Sequence, residues 1–201
     1  IGHSSGAHIC ALALLDLHKA MSTDPPELLA DVFIAQAGVY DIGAHFLHES
    51  SRGIALVSPM VHACCEGDEV DPAKMDFHSP LYHLGRRKAS GDQFAPRPFF
   101  PKLDGVALEG SLSGHHITSL LSWDKNVPSS TALGQGGIPT HSDGQAFPTT
   151  YVQAAVADLT VPATGSIRFY HELRACGVQA SLLLYEGEMG HADFVTDRDK
   201  V

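Results

Sequence analysis

The sequence predicts an α/β fold in which a mostly parallel β-sheet is layered between helices. Three observations carry that expectation. Short apolar runs suited to buried strands stand at 31–37 (DVFIAQA), 151–157 (YVQAAVA) and 179–185 (QASLLLY). Longer stretches with apolar residues at helical spacing stand at 5–20 and 163–176. Strand, helix and strand then alternate as a parallel sheet with helical crossovers requires.

Taken in order, the Ala- and Leu-rich segment SGAHICALALLDLHKA from Ser5 to about Ala20 contains no proline and reads as a mostly buried helix that ends before Asp24-Pro25-Pro26. The run at 31–37 closes on Gly38. From Asp41 to about Cys65 the spacing predicts two short helices, interrupted near residues 50–53, within a cap-like helical region at about 41–83. The texture from about 85 to 149 turns to Gly, Pro, Ser, His and Gln, as in FAPRPFFPKLDG and SSTALGQGGIPTHSDGQAFP. This is expected to be an irregular insertion, with at most a helical turn at SLLSW, 119–123. The third strand ends at Asp158, and an amphipathic helix from Ala163 to Cys176 is closed by Gly177. After the strand at 179–185, the loop EGEMGH delivers His191 to a final helix. The whole of 1–201 reads as one domain.

A formal charge of −10 argues against nucleic acid as a partner, and Arg86-Arg87-Lys88 is the only basic cluster. No run of about 18 apolar residues offers a transmembrane segment. The four cysteines, Cys10, Cys64, Cys65 and Cys176, lack CxxC spacing and suit neither a disulfide framework nor a zinc site. Together these features point to a reducing, intracellular setting. The chain opens on Ile1 with the motif already half complete and is expected to be the C-terminal portion of its domain, the N-terminal strands and nearly all of the strand leading into Ser4 missing.

That motif is Gly2-His3-Ser4-Ser5-Gly6, which matches G-x-S-x-G, the nucleophile elbow of the α/β-hydrolase fold. A strained strand-to-helix turn would expose the Ser4 hydroxyl, and the two glycines would permit close backbone crowding. The backbone N–H of Ser5, at the start of the helix, is the expected oxyanion donor. A serine alcohol needs a histidine to take its proton and an acid to orient that histidine. Asp158 at a strand end and His191 in a Gly-flanked loop follow in the chain order Ser, acid, His. Glu188 and Asp193 are competing acids, but they lie beside His191 in sequence rather than at a strand end. His115, His116 and His141 do not form a metal-ligand pattern, so neither metal nor cofactor is expected.

The segment GHSSGAHICALALL resembles the elbow of the isoprenylcysteine methylesterases. AGVYDIGAHFLHESSRGIALVSPMVHACCEG and ADLTVPATGSIRFYHELRACGVQASLLLYEGEMGHADF are similar to later stretches of those enzymes. Related carboxylesterases and kynurenine formamidases share this framework. The resemblance implies a three-layer α/β-hydrolase fold with Ser4 as nucleophile, Asp158 as acid and His191 as base. It further implies hydrolysis, through an acyl-enzyme, of the methyl ester on a carboxyl-terminal prenylated cysteine, the substrate being a small-molecule or prenylated-peptide ester. Family members can be held at internal membranes by N-terminal segments, so a cytoplasmic or endomembrane-associated location follows. They carry an H-G-G oxyanion segment before the nucleophile; none occurs in these 201 residues. The chain alone is therefore expected to be weakly active or inactive, the alternative being a binding protein that retains the fold without catalysis.

Overall fold

A computed structural model describes residues 1–20, 30–65, 70–91 and 147–196. The elements are β1 (Gly2–His3), α1 (Ser5–Ala20), β2 (Val32–Gln36), α2 (Ile42–Ser51), a 3₁₀ turn (Ala55–Val57), α3 (Pro59–Cys65), α4 (Pro72–Phe77), α5 (Pro80–Ser90), β3 (Thr149–Ala155), α6 (Ala163–Ala175), β4 (Ala180–Tyr185) and α7 (Asp193–Thr196). The four strands form one parallel sheet in the order β1-β2-β3-β4.

Strand order decides where the helices go. Each right-handed crossover between parallel neighbours places its helix on a fixed side, and three successive steps in one direction keep that side the same. Accordingly Ala7, Ala11 and Leu15 of α1, Leu81 and Leu84 of α5, and Phe169 and Leu173 of α6 share one core with Phe33, Ala35, Val152, Ala180 and Leu182 of the sheet. The α1 residues recur at i, i+4 and i+8 and so form a single buried stripe.

On the opposite face Ile34, Gln153 and Leu183 are half-buried, while Tyr151 and Ser181 are exposed. Among the described residues the long helices thus form one layer of the three-layer arrangement expected, and the opposite face carries only the short α7, whose Phe194 packs with Ala155, Tyr185 and Met189. The remaining layer cannot come from these crossovers, because the strand order sends all of them to the same side.

Helices α2 to α4 build a second small core over the C-terminal edge of the sheet, where Val39, Ile42, Cys64, Cys65 and Met75 meet Val161. Asp41 caps α2 by accepting from the Ala44 N–H, and Asp71 caps α4 by accepting from Ala73 and Lys74. All four cysteines are free thiols. Helix α5 runs on to Ser90 and ends on Gly91 at φ +78°, past the Gly85 at which composition places the onset of irregular chain. Its inner residues are sealed against α6, where the Cys176 thiol donates to the Leu84 carbonyl. The turn expected at 119–123 lies outside the described residues. Among the described residues no helix is long and apolar enough to cross a membrane.

Candidate active site

Ser4 occupies the turn between β1 and α1 at φ +54°, a left-handed conformation that costs a β-carbon-bearing residue roughly 1–2 kcal/mol. The surrounding chain holds it there. Its N–H donates to the Gln36 carbonyl at 2.9 Å, continuing the β1–β2 pairing, and its carbonyl accepts from the Ala7 and His8 amides at 3.0 and 3.2 Å. The crossing is close enough that a β-carbon on Gly2 would sit 2.7 Å from the Ala7 Cα. Gly6 differs from the crowding expected of it, because a β-carbon there would meet nothing within 4 Å. The helix leaves the turn with Gly6 on its open side.

Asp158 follows β3 by three residues, with its side chain fully buried. Its Oδ1 accepts from the Thr160 and Val161 amides at 2.8 and 3.0 Å, and its Oδ2 lies 2.7 Å from His191 Nδ1. Burial opposes ionisation of this carboxyl. The hydrogen bond and charge of His191, with the two amides, outweigh that burial and hold it below the usual carboxylate range. An ionised carboxylate can only accept, so Nδ1 carries the imidazole proton and Nε2 presents its lone pair. Nε2 lies 2.9 Å from Ser4 Oγ, placed to accept the hydroxyl proton. The chain of contacts Asp158, His191, Ser4 is therefore continuous, and the His191 side chain is 17 % exposed.

Beside Ser4, the first turn of α1 leaves amides without intrahelical partners, as every helix start does. Ala7 and His8 use the Ser4 carbonyl, whereas the Ser5 and Gly6 amides have no acceptor among the described residues. The two N–H groups that follow Ser4 in the chain are those left available.

The competing acids are placed elsewhere. Asp193 accepts from the Gly190 amide at 2.9 Å and shapes the loop, and Glu188 is exposed. Several histidines are engaged with backbone carbonyls: His8 with His78, His48 with Leu159 and His83 with Phe77. His45 is buried against Glu49 at 3.4 Å, and Glu49 in turn accepts from the Ser58 hydroxyl. A cavity of about 50 Å³ between the β2–α2 and β3–α6 connections is lined by Val39, His45, Val161 and Thr164 among others. His115, His116 and His141 lie outside the described residues, and among the described ones no group of three or more His, Cys, Asp or Glu could hold a metal ion.

Two features escaped the sequence reading. His3 contacts His191, with ring centroids 4.7 Å apart. The Leu159 carbonyl, next to Asp158, accepts from both His48 and Arg52 of the α2 segment at 2.9 and 2.7 Å. The local signals were the place of His3 immediately before the motif serine and the i, i+4 spacing of His48 and Arg52. No family model, no curated protein and no solved structure matches the chain.

Proposed function

We propose that this chain belongs to a serine hydrolase of the α/β-hydrolase fold that cleaves carboxylic esters through an acyl-enzyme. The observation that carries the reading is the hydrogen-bonded relay from Asp158 through His191 to Ser4, assembled across 187 residues of sequence on a left-handed strand-to-helix turn. In this mechanism His191 Nε2 takes the proton from Ser4 Oγ as the oxygen attacks the ester carbonyl. The negative charge on the carbonyl oxygen is met by the Ser5 amide at the α1 N-terminus. Collapse of the tetrahedral intermediate breaks the bond to the alkoxy group, which leaves as an alcohol with the proton from His191. Water then enters, gives its proton to His191 and attacks the acyl carbon; the acid departs and Ser4 recovers its hydroxyl. Asp158 stays ionised throughout, keeps Nδ1–H oriented and stabilises the transient imidazolium.

The resemblance to isoprenylcysteine methylesterases makes a prenylated cysteine methyl ester the substrate of first choice. Labelling with a fluorophosphonate probe tests the reaction class. The expected result is covalent labelling that is lost in Ser4→Ala and slowed at least about a thousandfold in His191→Ala. Failure to label in both the 201-residue chain and a chain extended upstream of Ile1 would overturn the enzyme reading in favour of a binding protein. Release of methanol from N-acetyl-S-farnesylcysteine methyl ester, against p-nitrophenyl acetate as the general ester, tests the substrate.

A further inference from the structure

We infer that His3 is a positioning residue that holds the main chain of His191, and with it the imidazole, in register with Ser4; this rests on the serine-hydrolase reading of the site. Side chains alternate across a strand, and Gly2 faces α1. His3 therefore lies on the opposite face of β1. There its ring leans on the His191 ring at 4.7 Å and on Phe194 of α7 at 5.9 Å. His3 Nε2 lies 2.9 Å from the His191 carbonyl oxygen, which can only accept, so Nε2 donates.

The base needs this support because of where it sits. Residues 186–192 belong to no helix or strand, and Gly187 at φ +91° turns the chain sharply out of β4. Gly190 is tied only locally, to Asp193. Among the described residues, the bond from His3 is the one hydrogen bond that joins the main chain of this loop to another strand. The residue that makes it is covalently adjacent to Ser4. Nucleophile and base are thus referenced to the same two-residue strand, and a displacement of about 1 Å at such a site costs on the order of a hundredfold in rate.

The test compares His3→Gln, whose amide N–H reaches about as far as Nε2–H, with His3→Met, which keeps the bulk but has no donor. Ester turnover and fluorophosphonate labelling by the Met variant are expected to fall about tenfold or more in kcat with KM within twofold, and the Gln variant to recover to within about threefold of wild type. The downfield proton resonance of His191 Nδ1–H against Asp158 gives a readout independent of turnover. It is expected to shift or broaden in His3→Met and to return in His3→Gln. His3→Asn, polar but too short to reach the carbonyl, should behave as the Met variant and replaces it if that protein does not fold. Wild-type behaviour of the donor-less variants, or equal impairment of Gln and Met, would overturn the positioning role. A wild type inactive both as the 201-residue chain and when extended upstream of Ile1 would instead count against the hydrolase reading, with the resonance still deciding the role of His3.

Discussion

Gly2 and Ala7 face each other across the turn that holds Ser4, so closely that a β-carbon on residue 2 would lie 2.7 Å from the Ala7 Cα and 2.7 Å from the Gly6 carbonyl oxygen. Those atoms are backbone and cannot swing aside as a flexible side chain could. Gly2→Ala should therefore push β1 away from α1, destabilise the protein by roughly 1–3 kcal/mol as overpacking does, and move Ser4 Oγ off His191. Gly6→Ala should do neither, since the space beside it is open and alanine is favoured over glycine within a helix by about 1 kcal/mol. Thermal melts of the two variants, read beside probe labelling, check the asymmetry. Equal effects at both positions would show that the crowding at Gly2 is not what fixes the elbow.

The motif itself treats the two glycines alike, and only the path of the chain separates them. Much of the architecture was legible: the helix 5–20 and the strands closing on Gly38, Asp158 and the His191 loop fall within a few residues of their predicted limits, because apolar periodicity and Gly punctuation are local signals. Helix α5 was partly missed, because Gly85-Arg86-Arg87-Lys88 resembles the start of a polar insertion while its burial against α1 and α6 depends on Leu81 and Leu84 just before. Strand order has no local signature, so the one-sided distribution of helices could not be read from the residues. The Ser4, Asp158 and His191 contact was reachable because chain order and strand ends suggest it. The tie of His3 to His191 spans 188 positions and was not.

Acidification should weaken the fold in two stages. Burial lowers the His45 affinity for a proton, Glu49 working against this and the nearby imidazoles with it, and the net direction is down. Burial likewise depresses His8, despite its bond to the His78 carbonyl. When a histidine's folded pKa lies below its unfolded value, the unfolded state takes up protons first. Stability is then lost as pH falls from about 6.5 toward the folded values. Asp158 acts lower, since its depressed folded pKa contributes stability above about 3.9 that disappears as pH falls through the folded value. Melting temperature measured from pH 8 to pH 2 should decline below neutrality and again below about pH 4. His45→Gln, which retains a donor toward Glu49, should flatten the upper part of the curve and leave the lower part intact. An unchanged slope between pH 7 and 5.5 in that variant would remove His45 from the account.

The acid of the relay is supported from outside its own loop by the α2 segment. His48 and Arg52, one helical turn apart, both donate to the carbonyl of Leu159, the residue that follows Asp158. One acceptor with two lone pairs can serve both donors, so either alone keeps the loop tied. Both side chains reach it near solvent, where a single hydrogen bond contributes about 1 kcal/mol net. Arg52→Ala or His48→Ala alone should change turnover by less than about threefold, whereas the double variant should lose about tenfold with little change in melting temperature, a non-additivity expected of partners sharing one acceptor. The readout is kcat with KM held in view, because displacement of Asp158 acts through the orientation of His191. Additive effects in the double variant would mean that the two donors act independently and that Leu159 is not the shared point of support.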